Sequence, residues 1–255
     1  MTTGVGASRV STSRAGALVT VEIGDGTRRN ALGEADWRAL GEAVRSAGDT
    51  SGVDVVLLVG HGGQFSAGSD LAEWADADAD DVDRTFAVME ACFRAIEDAP
   101  VPVIAAVEGV AAGAGCQLTL ACDLVVMGVS AQIGMPIVRL GILTSPAFAA
   151  RVSSRVGSAL AADLYLTGRL LSAREAQGAG LVARVVPDRQ VVATARDLAA
   201  TIARRPAPAV RAAKAAIHRV GQPGRSVEDA PGRAVAFDDF RGAVRRFLSM
   251  RRRPA

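Results

Sequence analysis

The chain is poor in the residues that perform much of the common enzyme chemistry. It has two histidines, His61 and His218, and three cysteines, Cys92, Cys116 and Cys122, and aromatic residues make up only 4% of its 255 residues. An odd number of cysteines in apolar surroundings predicts small buried thiols and a reducing compartment. Because neither histidine is an obvious partner for Cys116, we do not expect a nucleophilic cysteine. No metal site is predicted.

A strong charge imbalance and a long apolar run are also lacking. The formal net charge is +2, which argues against nucleic acid as a partner. No apolar stretch reaches membrane-spanning length without interruption and no signal-peptide core is evident, so we expect a cytoplasmic protein without a membrane partner. Basic residues cluster at 245–246 and 251–253. They are either a solvated tail or a contact for ligand phosphates.

Hydrophobic periodicity divides the chain into three parts. Residues 1–14 are rich in Ser, Thr and Gly and predict a flexible leader or a frayed first strand. Residues 15–190 form the core, where short β-branched strands alternate with helical stretches, a pattern typical of βαβ units around a largely parallel sheet. Residues 191–255 predict only helices, which need another surface to pack against.

Individual elements follow from the same periodicity. Leu18–Ile23 alternates like a strand, and Glu34–Ala47 has the apolar spacing of a helix. The alternating Ala and Asp residues of 75–83 predict a mobile loop. In the C-terminal part, helices are predicted over 191–204, 207–220 and 238–250.

Two segments with very small side chains each follow a short apolar strand candidate. Gln64–Leu71 comes after the run at 55–59, and Glu108–Gln117 comes after the run at 101–107. A strand that ends in small residues and turns into a helix exposes backbone N–H groups. Two such turns that face each other can hold one carbonyl oxygen between two amide donors, as in an oxyanion hole. Alone, each segment is only a glycine-rich turn.

In this order, the segments resemble the motifs of the crotonase, or enoyl-CoA hydratase/isomerase, superfamily. The resemblance extends from about Ala17 to Pro254 and includes the two turns together with Arg29–Leu32, Ala121–Leu124, 165–168, 172–176 and 180–182. It implies an α/β fold with a crotonase-like ββα spiral core and a helical C-terminal region for trimerisation or for covering the site. It also implies an acyl-CoA thioester as partner, no cofactor apart from the coenzyme A of the substrate, and a homotrimer or a dimer of trimers.

The resemblance also assigns roles to residues. The oxyanion donors are the backbone amides of Ser69 and Ala114, which both have small side chains and keep their N–H groups. Asp70 has a second interpretation, as the cap of the following helix. A lysine that many relatives carry shortly after this aspartate is absent, because Ala72 stands there. The implied substrate-binding positions are Arg29, Ala31, Ala67, Gly68, Asp70, Leu71, Gly113, Pro136, Leu140 and Gly141.

The family pattern breaks at the two glutamates that hydratases use for acid–base catalysis. The resemblance places these positions at Gln117 and Ile137. Glutamine can orient a water but cannot take its proton, and isoleucine can do neither. General acid–base catalysis contributes about a hundred- to ten-thousand-fold per group, so ordinary enoyl-CoA hydration is not expected. Ile137 instead predicts a dry, apolar acyl pocket.

Three explanations stay open for this acyl-CoA-processing protein. In the first, it is a lyase or isomerase of fatty acid metabolism in which another group has entered the site; the candidates are Glu73, Asp76, Asp78, Glu108, Thr144 and Ser145. In the second, the reaction needs only enolate stabilisation, as in decarboxylation of a malonyl-type thioester. In the third, the protein binds acyl-CoA without converting it, as a carrier or a regulatory protein.

Overall fold

The computed structural model describes residues 8–75 and 77–220, and its strands form two sheets. The strands are β1 (Val10–Ala15), β2 (Leu18–Ile23), β3 (Val55–Gly60), β4 (Val103–Val107), β5 (Val110–Ala112), β6 (Leu124–Gly128), β7 (Gln132–Gly134), β8 (Leu170–Ser172) and β9 (Arg184–Val186). The large sheet has the order β1-β2-β3-β4-β6-β9, and the small sheet has the order β5-β7-β8. β1 and β2 are antiparallel, and the remaining neighbours in the large sheet are parallel. The expected largely parallel α/β core is therefore confirmed.

Helices cover both faces of the large sheet. They are α1 (Glu34–Asp49), α2 (Leu71–Trp74), α3 (Ala79–Glu97), α4 (Ala114–Ala121), α5 (Pro146–Thr167), α6 (Ala173–Gly178), α7 (Val191–Ala203) and α8 (Ala207–Val220). The predicted helices over 34–47, 191–204 and 207–220 match α1, α7 and α8 to within two residues at each end. Within residues 8–75 and 77–220, no helix is long and apolar enough to cross a membrane.

The sheet core is buried on both sides because successive side chains of a strand point to opposite faces. Val56 and Leu58 of β3 pack in the main core with α1 and α3, where Trp37 and Phe93 meet edge to face with their ring centroids 5.5 Å apart. Val55 and Leu57, one residue out of phase, pack against α7. α7 is thus an integral part of the core, although the sequence places it in a separate C-terminal region.

One segment differs from its sequence interpretation, and in a second the structure decides between a leader and a first strand. In the stretch 75–83, helix α3 begins at Ala79, because Asp78 accepts a hydrogen bond from the amide of Asp81 and caps the first turn. In the stretch 1–14, strand β1 begins at Val10. It pairs with β2 through backbone hydrogen bonds, although most of its side chains are exposed. The predicted helix over 238–250 and the basic clusters after residue 244 lie outside the described residues.

Candidate active site at two strand-to-helix turns

The first turn is held by backbone hydrogen bonds on both of its sides. After β3, the amide of Ser66 donates to the carbonyl of Val110, and the Ser66 carbonyl accepts from Ala112. Further along, Gly68 O accepts from the Leu32 amide, and the Asp70 amide donates to Leu32 O. This is the pattern of a parallel β-bridge between Leu32 and Ser69. In such a bridge the N–H of the residue between, Ser69, points away from the partner segment. Within the described part of the chain, the Ser69 amide has no acceptor.

The second turn presents the start of α4. Gly113 is the N-cap residue, and its own amide donates to Gly134 O at 2.9 Å. Ala114 is the first helical residue, so its N–H has no intrahelical acceptor, and the positive end of the helix dipole lies at the same point. Each turn therefore presents one backbone N–H, that of Ser69 and that of Ala114, without an acceptor in the described residues.

Two glycines allow these turns to approach each other. A Cβ at Gly68, which has φ +102°, would lie 3.1 Å from the Ala114 nitrogen and 2.7 Å from the Ala112 oxygen. A Cβ at Gly115 would lie 2.3 Å from the Ser66 oxygen. Any larger side chain at either position would push the turns apart. The structure thus brings the residue before one predicted donor into contact with the other donor.

An apolar wall closes one side of the corner formed by the two turns. Ile137 is 8% exposed, and its Cγ2 lies 3.5 Å from where a Cβ of Gly113 would stand. It belongs to a 3-10 helix, Pro136–Leu140, that begins with a half-buried proline and ends at Gly141. The predicted substrate-binding positions Leu140 and Gly141 are exposed and lie at the far end of this short helix.

The segment Arg29–Leu32, the first motif of the family resemblance, supports the turns through its main chain. Arg29 O accepts from the amide of Ala67 at 2.9 Å, and Ala31, which is buried, precedes the Leu32 bridge. The Arg29 side chain is exposed, whereas Asn30 is fully buried and donates to the carbonyls of His61 and Gln64. Leu71 is 49% exposed at the start of α2. These predicted positions therefore surround the first turn.

Asp70 has the structural role that was its second interpretation. Its Oδ1 accepts from the amide of Ala72 and caps α2, and its Oδ2 accepts from Arg28 Nη1 at 2.6 Å. The side chain is only 6% exposed. A carboxylate with both oxygens engaged is poorly suited to proton transfer.

Gln117, on the second turn of α4, is fully buried and fully hydrogen-bonded. Its Nε2 donates to Phe148 O at 3.1 Å and to the Tyr165 hydroxyl at 2.9 Å, and its Oε1 accepts from Arg151 Nη1 at 3.0 Å. The Tyr165 hydroxyl in turn donates to Phe148 O. Because these bonds use both amide hydrogens, the Gln117 side chain has no donor left for a water molecule.

Sequence reasoning missed the charged part of this network. Arg151 has a side chain only 7% exposed, pairs with Glu97 at 2.6 Å and with Glu90 at 3.2 Å, and lies 5.1 Å from the centre of the Phe93 ring. Burial lowers the pKa of Arg151, but the hydrogen bonds and charges of the two glutamates outweigh it and raise the pKa. The available signal was an arginine between the apolar Phe148 and Val152, with a second arginine, Arg155, one helical turn further on the same face.

The carboxylates proposed as replacements lie elsewhere or outside the described residues. Glu73 accepts from the amide of Glu34 and so covers the start of α1, and Asp78 caps α3. Glu108 stands at the opposite end of β5 from Gly113, and burial together with the nearby Asp188 raises its pKa. Asp76 is not among the described residues. None of the described three faces the corner.

Of the remaining candidates, Thr144 is exposed and Ser145 has a structural role. Ser145 caps α5 by accepting from the amide of Phe148. The three cysteines are buried, and burial raises the pKa of Cys92 and of Cys116 to about 12. A thiol with such a pKa is protonated at neutral pH and a poor nucleophile. Across residues 8–75 and 77–220, no cluster of three or more His, Cys, Asp or Glu side chains could hold a metal ion.

A cavity of about 860 Å³ lies away from the corner, between α3, α5 and α8. Its wall includes Asp123, which pairs with Lys214 at 2.8 Å and with His218 at 2.9 Å. Neither proposed donor lines this cavity. We place the candidate site at the corner, because Gly68 of the first turn closely approaches the Ala114 amide there and both proposed donors lack an acceptor in the described residues.

Comparison with known proteins agrees with the fold. The family model described as enoyl-CoA hydratase/isomerase matches residues 13–239. The chain therefore belongs to the enoyl-CoA hydratase/isomerase family, within the crotonase superfamily, and the expected crotonase-like fold is confirmed.

Individual relatives support the same assignment. The chain is 36% identical to a probable enoyl-CoA hydratase of Mycobacterium bovis over 193 residues, which cover 74% of this chain and 73% of the relative. It is 35% identical to the 2,3-dehydroadipyl-CoA hydratase of Escherichia coli, over 83% of this chain and 82% of the relative. A crystal structure of an enoyl-CoA hydratase/carnithine racemase from Magnetospirillum magneticum superposes with a TM-score of 0.88 and 30% identity, covering 98% of this chain and 96% of that one.

Proposed function

We propose that the protein binds an acyl-CoA thioester and holds its carbonyl oxygen between the backbone N–H groups of Ser69 and Ala114. The observation that carries this proposal is the contact of the Gly68 turn with the Ala114 amide, with both donors lacking an acceptor in the described chain. A thioester carbonyl gains negative charge when its α-carbon loses a proton or a carboxylate, or when a nucleophile adds. A fixed donor at this oxygen stabilises that charge by about 3 kcal/mol.

The surroundings of the corner favour chemistry without a protein acid–base pair. At the two positions where the family resemblance implies catalytic glutamates, Gln117 is locked in a buried network and Ile137 is an apolar wall. Because Glu73, Asp78 and Glu108 face other parts of the molecule, ordinary hydration has no described carboxylate to support it. Decarboxylation of a malonyl-type thioester fits these residues, because carbon dioxide leaves without a base and the enolate oxygen needs only the two donors.

Non-catalytic binding of acyl-CoA is the second candidate function. It is favoured by the same engaged amide of Gln117, which leaves the corner with the two backbone donors, apolar groups and the Ser69 hydroxyl. A carrier or regulatory protein needs no more than these groups. The two candidates share the binding geometry and differ in whether the bound thioester changes.

The binding geometry is tested with butyryl-CoA that carries a ¹³C label at the thioester carbonyl. We expect the infrared band of the bound carbonyl to move to lower frequency than in water, because two donors polarise the bond. Ala114→Pro removes one donor at a position where proline suits a helix, and it should reverse most of the shift. Ala114→Ser keeps the N–H and serves as the matched control. An unshifted band in the wild-type protein would contradict the proposal.

The reaction is tested on the same preparation. Crotonyl-CoA, followed through its conjugated thioester absorbance, should be hydrated at least about a hundredfold more slowly than by an ordinary hydratase. Release of carbon dioxide from malonyl-type thioesters would favour decarboxylation, and unchanged thioesters that remain tightly bound would favour the carrier. Crotonyl-CoA turnover at the ordinary hydratase rate would refute our interpretation of Gln117 and Ile137.

A further inference from the structure

Arg9 lies just before β1, in the stretch that the sequence suggests is a leader, yet it connects several parts of the candidate site. We propose that Arg9 is a positioning residue for the Ser69 amide, acting through Asp36, Ala31 and Leu32. This inference rests on the proposed function, because it presumes that the Ser69 N–H is a donor to the thioester oxygen. Arg9 itself does not touch the corner.

The first step is the anchoring of Arg9 by a buried carboxylate. Its backbone amide donates to Asp36 Oδ1 at 2.7 Å, and its guanidinium donates to Asp36 Oδ2 through Nε at 3.1 Å and through Nη2 at 2.6 Å. Asp36 is 4% exposed and also accepts from the amide of Gly33 at the start of α1. Charge-assisted bonds of this kind fix geometry as well as adding energy. The guanidinium is therefore held rigidly against α1.

The second step joins this guanidinium to the first motif. Arg9 Nη2 donates to Ala31 O at 2.9 Å. Ala31 directly follows three non-glycine residues with left-handed backbone, Arg28, Arg29 and Asn30, whose φ values are 47°, 55° and 53°. Such conformations are strained and persist only where the surroundings hold them. The bond from Arg9 holds the peptide at the end of this strained stretch.

The third step passes from this peptide to the proposed donor. The amide nitrogen of the Ala31–Leu32 peptide belongs to Leu32, and it donates to Gly68 O at 2.8 Å. Leu32 O accepts from Asp70 N at 2.9 Å. These two hydrogen bonds hold Gly68 and Asp70, the residues on either side of Ser69, and so set the direction of the Ser69 N–H. A tilt of the Ala31–Leu32 peptide would turn that N–H away from the shared oxygen.

A fourth contact strengthens the same linkage. Arg9 Nη2 lies 3.9 Å from Asp70 Oδ2, which Arg28 also pairs with at 2.6 Å. Two acids and two arginines thus alternate from α1 to the first turn, in the order Asp36, Arg9, Asp70, Arg28. The charge of Arg9 is therefore balanced by Asp36 on one side and by Asp70 on the other. Only an arginine offers planar donors in several directions at once.

The experiment compares Arg9→Met and Arg9→Lys with the matched control Arg14→Met. Arg14 is also an arginine of the β1 segment, and its guanidinium also donates to main chain, at Gly16 O and Ser51 O, but it lies at the other end of the strand. For each variant we measure the infrared shift of ¹³C-labelled butyryl-CoA, its dissociation constant, and kcat and KM for the best substrate of the wild-type protein. Circular dichroism and the melting temperature report on folding.

We expect Arg9→Met to lose about half of the carbonyl shift and at least about tenfold in kcat, because small displacements of a catalytic group are costly. The dissociation constant and KM should change by less than about threefold, because the other contacts to coenzyme A remain. Arg9→Lys should fall between Arg9→Met and the wild-type protein, and Arg14→Met should match the wild type. If the best substrate is not turned over, the carbonyl shift alone decides.

The outcomes separate this inference from the proposed function. A wild-type protein without a carbonyl shift contradicts the proposed function, and the positioning role fails with it. A shift that Ala114→Pro removes and that both Arg9 variants retain contradicts only the positioning role. A lower melting temperature with an unchanged shift and unchanged kcat makes Arg9 a purely structural residue, which also overturns the inference. If Arg9→Met does not fold, the same criteria apply to Arg9→Lys.

Discussion

The first helical turn of α4 presents a backbone polar group, whereas its second helical turn presents polar side-chain groups. At its start, Ala114 offers a backbone amide, and Ser69 offers another from the turn that follows β3. One helical turn further on, Gln117 offers only side-chain groups, and all of them are engaged with Phe148, Tyr165 and Arg151. The comparison teaches that a backbone site tolerates changes of sequence, because every small residue brings the same N–H. A side-chain site loses its chemistry with one substitution.

Removing Arg151 should have the largest effect on this comparison. Arg151→Met leaves Glu90, Glu97 and the Gln117 oxygen without their shared donor, and breaking a buried ion pair from one side costs about 3–5 kcal/mol of folding free energy. Urea denaturation at neutral pH measures this loss. Arg94→Met is the matched control, because Arg94 pairs with the same Glu90 from a position 67% exposed, where an ion pair contributes about 0–1 kcal/mol. Equal losses in both variants would show that burial of Arg151 is unimportant.

Restoring a glutamate at position 117 should cost stability without restoring hydration. In Gln117→Glu, the second carboxylate oxygen faces the Phe148 carbonyl with no hydrogen between them, and Arg151 gains a third acid. An unsatisfied buried group of this kind costs about 1–3 kcal/mol. Because protonation of the new carboxyl returns a donor, the loss should be full at neutral pH and shrink as the pH falls.

Crotonyl-CoA hydration and urea denaturation measure both parts of this prediction. Gln132→Glu, on the exposed end of β7, adds the same charge without entering the network and should change neither quantity. A rise in hydration of more than about a hundredfold in Gln117→Glu, the contribution of one acid–base group, would show that the position still reaches substrate.

Whether a feature of the site can be predicted from the sequence depends on how far apart its interacting residues lie along the chain. The two turns are visible as runs of small residues after apolar strands, and the family resemblance assigns one donor to each run. Arg9 and Arg151 are not visible in this way, because their partners Asp36 and Gln117 lie 27 and 34 residues away. A sequence pattern records local spacing, whereas these pairs exist only after the strands and helices have packed. Residues 79–83 were not predicted to be helical, although their signal is local, because Asp78 caps the first turn of α3.

Asp123 with its partners Lys214 and His218 forms another polar cluster with little exposure, like the Gln117 network, and gives a pH-dependent prediction. Burial raises the pKa of Asp123, but the hydrogen bond from His218 and the charge of Lys214 outweigh it, so the pKa lies below the ordinary value of 3.8. A carboxyl with a lowered folded-state pKa stabilises the protein above the unfolded pKa, and this stabilisation is lost as the pH falls through the folded value.

Asp123→Asn should therefore be less stable than the wild-type protein at pH 5–8, and the difference should narrow below about pH 4. Melting temperatures across this range measure it. Asp197→Asn, at an exposed position of α7, should follow the wild-type curve throughout. A difference between Asp123→Asn and wild type that widens in acid would reverse the sign of the linkage and contradict the assigned pairing.

The smallest effect is expected from removing the side-chain hydroxyl of Ser69. Ser69 Oγ donates only to the Met89 sulfur at 3.0 Å, and a thioether is a weak acceptor. Ser69→Ala keeps the N–H and should lose less than about 1 kcal/mol of folding free energy. The carbonyl shift and the dissociation constant of labelled butyryl-CoA should stay within about threefold of wild type, because the donor belongs to the backbone. A loss as large as that of Ala114→Pro would mean that the hydroxyl itself binds the substrate, and the contrast between a backbone corner and a side-chain network would no longer hold.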